Sequence, residues 1–152
     1  MTEQTICENL TLKIPEGFTV LDEKNLARIF GGEGSDRWCA ANGDESVLLT
    51  VVWQKVNPIL AALSDMKVMA RRNAQLTEKA YQAYGYRFGE FFSLQGRDGS
   101  LEGYSYSFSG KNGQRSAETV LIRQKRMIYN VSCVSRAEKA MEGREALRQA
   151  LG

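Results

Sequence analysis

The sequence predicts an α+β domain built on a single antiparallel sheet of six to seven strands flanked by helices, in the order β-α-β-β-α-β-β-β-β-α. Three observations carry that reading. From Tyr84 to Val134 apolar and polar residues alternate with period two. Asp98-Gly99 and Asn112-Gly113 divide that stretch, and both are pairs suited to tight hairpin turns because they tolerate positive φ. Segments of helical period precede and follow it.

Taken in order, residues 9–14 (NLTLKI) alternate and stop at Pro15-Glu16-Gly17, a short strand and a turn. Asp22 is placed to cap a helix running to Phe30, with Leu26, Ile29 and Phe30 as its apolar stripe and Gly31-Gly32 as its stop. Arg37–Ala41 and Ser46–Val56 read as a hairpin joined near Asn42-Gly43. The second arm is apolar on both faces, with Val47, Leu49, Val51 and Trp53 on one and Leu48 and Val52 on the other. That marks a central, covered strand. Asn57-Pro58 opens the longest helix, to Tyr81, with a break near Ser64-Asp65. Its buried stripe is Leu60, Leu63, Met66, Met69 and Leu76.

Four strands follow, Tyr86–Gln95, Leu101–Ser109, Ser116–Gln124 and Met127–Val134, the last two joined at Lys125-Arg126. In the second, Tyr104, Tyr106 and Phe108 face one side and Ser105, Ser107 and Ser109 the other, so one side is packed and the other polar. Ser135-Arg136-Ala137-Glu138 reads as a capping box opening a final helix whose inner face is Ala140, Met141, Ala146, Leu147 and Leu151.

The 152 residues match one domain spanning 1–152. The net charge of +2 divides unevenly, −5 over residues 1–66 and +7 over 67–152, a dipole able to steer a charged partner. No dense basic stripe accompanies it, which argues against nucleic acid. Cys7, Cys39 and Cys133 are an odd, widely spaced set that reads as buried free thiols in a reducing compartment. Residues 1–14 lack the pattern of a secretory signal, and no apolar run approaches the roughly 18 residues a membrane span needs. The expected location is the cytoplasm.

The chain has no histidine, which removes histidine general acid–base work, Ser-His and Cys-His pairs and nearly all catalytic zinc sites. Gly32-Glu33-Gly34 is not continued into a dinucleotide loop. The expectation is no enzyme, no metal and no cofactor. Two features bear on binding. Arg115, Arg123, Lys125 and Arg126 lie in a segment, 111–126, that holds Glu118 as its one acid. They are the candidate partner-binding residues, set against the alternative of charged strand ends that keep sheet edges soluble. The tyrosines form the second feature, as packed core or as a recognition surface.

The opening Leu10-Thr11-Leu12-Lys13-Ile14-Pro15-Glu16-Gly17-Phe18, the run Leu94-Gln95-Gly96-Arg97 into the meander, and Met127-Ile128-Tyr129-Asn130-Val131 before the last helix resemble the PsbP-like superfamily. That group includes the extrinsic photosystem II subunit, a Ran-binding nuclear import factor and many bacterial proteins. The resemblance implies an antiparallel sheet flanked by helices that acts by binding another protein, as an adaptor or chaperone. Among bacterial members the chain is also similar to the effector-associated chaperones of type VI secretion, though no residue motif singles out that branch. The alternative is a small-ligand or lipid carrier using an apolar sheet face, with a pocket of roughly 300–1,000 Å³ lined by aromatics. A homodimer is compatible with either.

Overall fold

The computed structural model describes residues 2–7, 10–57, 59, 65–96, 99–111 and 113–152. The strands among them are β1 (Thr2–Ile6), β2 (Leu10–Ile14), β3 (Thr19–Val20), β4 (Arg37–Ala41), β5 (Val47–Lys55), β6 (Arg87–Gly96), β7 (Gly99–Gly110), β8 (Gly113–Gln124) and β9 (Met127–Arg136). The helices among them are α1 (Glu23–Phe30), α2 (Met66–Tyr81) and α3 (Ala140–Leu151). Seven strands form one antiparallel sheet in the order β3-β4-β5-β9-β8-β7-β6. The α+β class and the seven-stranded sheet match the sequence reading.

The opening strand does not join that sheet. Leu10–Ile14 pairs instead with Thr2–Ile6 as a separate two-stranded hairpin. Ile6, Leu10, Leu12 and Ile14 are buried, because the hairpin lays one face on the main sheet. The Tyr129 hydroxyl donates to the Cys7 carbonyl at 3.2 Å and ties the two together.

Period-two alternation then builds two different layers. One sheet face carries Val47, Leu49, Val51, Val120, Tyr129, Val131 and Cys133, and it packs against the hairpin and α3. The other carries Tyr104, Tyr106, Phe108 and Ala117 under α2, which meets them through Ala74. Small residues at 70 and 74 let that helix approach closely, and both are buried. β5 lies between β4 and β9, the central place its apolar pattern predicts, but its second face is not covered as expected: Leu48 is half-buried and Val52 is 41% exposed.

The caps are partly as expected. The Asp22 carboxylate accepts from Asn25 N at 3.0 Å, and Gly31 closes α1 at φ 76°. Asp65 opens α2 by accepting from Lys67 N at 2.8 Å, which gives the expected break a cause. Leu76, expected inside, is 58% exposed, because the alanine stripe faces the sheet. Pro58, Leu60, Leu63 and Ser64 lie outside the described residues, as do Asp98 and Asn112 of two turns. The Asn42-Gly43 turn is longer than a two-residue hairpin: the Asn42 carbonyl accepts from Glu45 N, and Glu45 takes the left-handed conformation at φ 57°.

The capping box does not form. Ser135 belongs to β9 and is buried, its hydroxyl donating to the Ser116 carbonyl at 3.4 Å, and α3 begins only at Ala140 after a single 3-10 turn. Sheet pairing with β5 and β8 outcompetes the local cap. Gly143, Ala146, Leu147 and Ala150 form the inner face of α3, with Met141 exposed. Gly143 is a tight fit, since a Cβ there would meet the Ser135 hydroxyl at 2.8 Å.

A half-exposed bridge to one buried carboxylate ties α3 to the sheet. Glu118, on β8 beneath it, accepts from Arg148 Nη1 at 2.8 Å and lies 3.5 Å from Arg144 Nε.

The three cysteines are free, but they are not alike. Cys39 and Cys133 are buried, and burial pushes both thiols up to about 12, whereas Cys7 is exposed, contrary to the sequence reading. Cys7 sits at the hairpin turn with φ 48°, outside the packed faces. A colorimetric thiol titration of the native protein at mildly alkaline pH should therefore find one reactive thiol per chain, and all three after unfolding. Prompt native reaction of all three would contradict the burial of Cys39 and Cys133.

Candidate functional site

β8 separates the basic candidates. Arg115 and Arg123 are eight residues apart, about 26 Å at the rise of a strand. Arg123, Lys125 and Arg126 are exposed and meet at one end, where Lys125 turns the chain at φ 55°. Arg115 lies at the other end. Cross-strand register places Arg115 opposite Phe108, so the β8 arginines project on the aromatic side rather than continuing the serine face.

A cleft opens at each end. At the Arg123 end, β7–β8 pairing stops at Glu102 and Leu121, while β6–β7 pairing runs on to Gly96 and Gly99 and β8–β9 pairing to Gln124 and Met127. The two hairpins splay, leaving a space of about 620 Å³ bordered by Leu12, Leu101, Leu121 and Arg123. Its lining is aliphatic and polar, not the aromatic lining expected of a carrier. The cleft at the Arg115 end is smaller, about 350 Å³.

The feature that sequence reasoning missed is the sheet's free edge. Among the described residues β6 is the terminal strand. In regular alternation Phe88 and Phe91 would lie on opposite faces. A bulge at Gly89-Glu90 sets two residues against Ser105, so Phe88 opposes Tyr106 and Phe91 opposes Tyr104, and both rings fall on one face. Ser105 builds the bulge. Its hydroxyl accepts from Glu90 N at 3.0 Å, and a Cβ on Gly89 would lie 2.3 Å from it, so only glycine fits. The signal was Gly89 inside a strand pattern, which often marks a bulge.

The result is an exposed aromatic patch. Phe88 and Phe91 are 45% and 47% exposed with ring centroids 4.8 Å apart; Tyr84, whose ring lies 6.5 Å from Tyr81, is 57% exposed. The opposite face of the same strand is anchored, since Phe92 and Leu94 pack into the main core.

Behind the patch stands a ladder of rings. Tyr81 of α2 stacks on Phe108 at 4.3 Å, and Tyr106 lies between Tyr104 and Phe108 at 5.8 and 6.0 Å. The tyrosines at 104 and 106 are thus core, while Tyr84 is surface. The Tyr104 hydroxyl accepts from Asn73 Nδ2 at 2.6 Å and lies 2.7 Å from Thr77 Oγ1. Thr77 spends its proton on the Asn73 carbonyl at 3.0 Å, so Tyr104 is the donor to Thr77. Burial pushes the Tyr81, Tyr104 and Tyr106 phenols above their usual range. These groups sit in packed layers, not in a cleft. Among the described residues no three His, Cys, Asp or Glu side chains converge as a metal site, and no helix is long and apolar enough to cross a membrane.

Comparison with solved structures bears on the fold. The chain is similar to the cyanobacterial PsbP protein CyanoP from Synechocystis sp. PCC 6803, with a TM-score of 0.64 at 11% identity over 92% of this chain and 82% of that one. The chain has a PsbP-like fold. It is also similar to a point mutant of the protein Mog1, with a TM-score of 0.55 at 14% identity over 99% and 93% of the two chains. A third likeness is to LpqN of Mycobacterium tuberculosis, described as involved in cell envelope biogenesis, with a TM-score of 0.53 at 13% identity over 92% and 78%. Identities this low speak to architecture alone. No protein-family model matches the sequence, and no curated protein is significantly similar to it.

Tyr104→Phe should remove both bonds that hold α2 to the sheet and strand the Asn73 amide. Urea denaturation should show a loss of about 1–2 kcal/mol with the fold retained. An unchanged midpoint would mean that ring packing alone seats the helix.

Proposed function

We propose that this chain is a non-enzymatic protein-binding module whose contact surface is the β6 edge with its aromatic pair. The carrying observation is the bulge that puts Phe88 and Phe91 side by side on a free edge, both nearly half exposed. Exposed apolar side chains scattered singly need no explanation, but a contiguous pair on a strand with no outer partner among the described residues does. Past the bulge, the regular stretch of such an edge from Phe91 to Gly96 receives an extended segment of a partner as an added strand, with backbone bonds supplying affinity and the rings supplying specificity. Aromatic anchors of this kind commonly dominate binding energy. The resemblance to PsbP-like proteins supports the same class of function, and an adaptor or chaperone role is the form we favour, in a bacterial cytoplasm.

The test compares two double variants in a pull-down from the native host. Phe88→Ser with Phe91→Ser should abolish capture of the partner that the wild-type protein retains, while melting within a few degrees of it. Arg123→Ala with Arg126→Ala should retain the partner, with a weaker dependence on salt. Loss with the arginine variant and retention with the aromatic variant would move the interface to the opposite end of β8. Equal retention by both would refute the edge as the contact surface.

A further inference from the structure

At the Arg115 end of the sheet, the β7–β8 hairpin tip, the end of β9, the β4–β5 turn and the end of α1 enclose the cleft of about 350 Å³. Its floor is apolar, formed by Leu48, Phe108 and Val134. Its rim is cationic. Arg115 on β8 stands directly opposite Arg136 on β9, and Lys111 joins them from the hairpin tip. Directly opposed residues of an antiparallel pair hold their Cβ atoms about 4.5–5.5 Å apart, and like charges so placed destabilise a sheet.

The acids nearby are committed elsewhere. Glu45 is held by Arg28 through two bonds of 2.8 and 2.6 Å. Asp44 accepts from the Ser46 hydroxyl at 2.6 Å and from its backbone N at 3.1 Å, and it feels the charge of Arg136 only as a weaker, longer-range attraction. The Arg115 stem lies across Gly110 of β7, where a Cβ would meet its Cγ at 2.9 Å and its Nε at 3.1 Å. Two arginines therefore rise from directly opposed strand positions beside an apolar floor, and among the described residues no acid forms an ion pair with either.

We infer that this cleft receives an acidic segment of a protein partner, its carboxylates pairing with Arg115 and Arg136 while a neighbouring apolar side chain enters over the half-buried Leu48 and Val134. Guanidinium groups match carboxylates with paired, charge-assisted bonds, and the incoming charge would relieve the repulsion between them. The apolar floor favours a peptide over a polyphosphate chain. The ring at 108 is buried in the aromatic ladder and gives nucleic-acid bases no surface to stack on. This inference takes the class of partner from the proposed protein-binding role, but its location is independent of the β6 edge.

The probe is a labelled peptide of alternating glutamate and leucine, titrated by fluorescence anisotropy. Binding should saturate at low salt and weaken steeply on approach to physiological ionic strength. It should fall at least tenfold in Arg115→Gln and in Arg136→Gln and persist in Arg123→Gln, with about tenfold taken as the smallest loss expected from breaking a desolvated charge pair. A glutamine-for-glutamate peptide should not bind. Both cleft variants should melt at or above the wild-type temperature, because a repulsive pair has been removed. Phe88→Ser with Phe91→Ser should bind the probe normally, so failure of the edge proposal and failure of this one are distinguishable. The inference is overturned if the peptide fails to bind at low salt, or binds equally to the two cleft variants. It is overturned too if those variants lose substantial thermal stability, or if single-stranded DNA or phosphatidylglycerol vesicles bind through Arg115 where the peptide does not.

Discussion

The hydroxyl of Tyr104 decides where the longest described helix sits. It is buried at the middle of β7, it receives the Asn73 amide, and it donates to Thr77 one turn further along α2. A buried hydroxyl without partners would cost about 1–3 kcal/mol, so the helix is held in the register that satisfies it. With α2 fixed over β7 and β8, Ala70 and Ala74 meet the sheet and Tyr81 stacks on Phe108. Two consequences for function follow. The helix packs over β7 and β8 and leaves Phe88 and Phe91 of β6 nearly half exposed. It also leaves the space toward α1 open, where Arg115 and Arg136 border a cleft.

The second constraint is the bulge. An edge strand with a continuous run of unpaired backbone groups invites association, and a bulge interrupts that run and increases local twist. Here it also brings two rings to one face, with Ser105 filling the gap above Gly89. A single glycine thus links the shape of the edge to its aromatic character. The basic residues have a different relation to the fold. They occupy strand ends and turns, where a charge is tolerated without altering the core.

Much of this architecture was legible from periodicity. The alternation in β7 named the packed side, and the two-faced apolar run of β5 named the central strand. Asp22 and Gly31 gave the limits of α1. The failures have physical causes. Ser135 satisfied a local capping rule, but ladder pairing of β9 with β5 and β8 extended the strand through it. Leu76 and Met141 looked like core by hydrophobicity, yet the helices face the sheet with alanine and glycine because close approach mattered more than bulk. The opening strand had the pattern of a sheet member, and its separate pairing with Thr2–Ile6 rested on a second strand too polar to announce itself. For the candidate site, composition located the basic residues but not their separation by a strand's length. The aromatic patch depends on a bulge that shifts parity by one.

The central claim is that β6 is an open edge presenting two aromatic rings. Native-state hydrogen exchange of the purified protein, resolved to single amides, tests it most directly. The account predicts slow exchange throughout β5, β8 and β9, and rapid exchange for the amides of β6 that point away from β7. Protection of those outward amides as strong as in β9 would mean that the edge is already covered, and it would contradict the account.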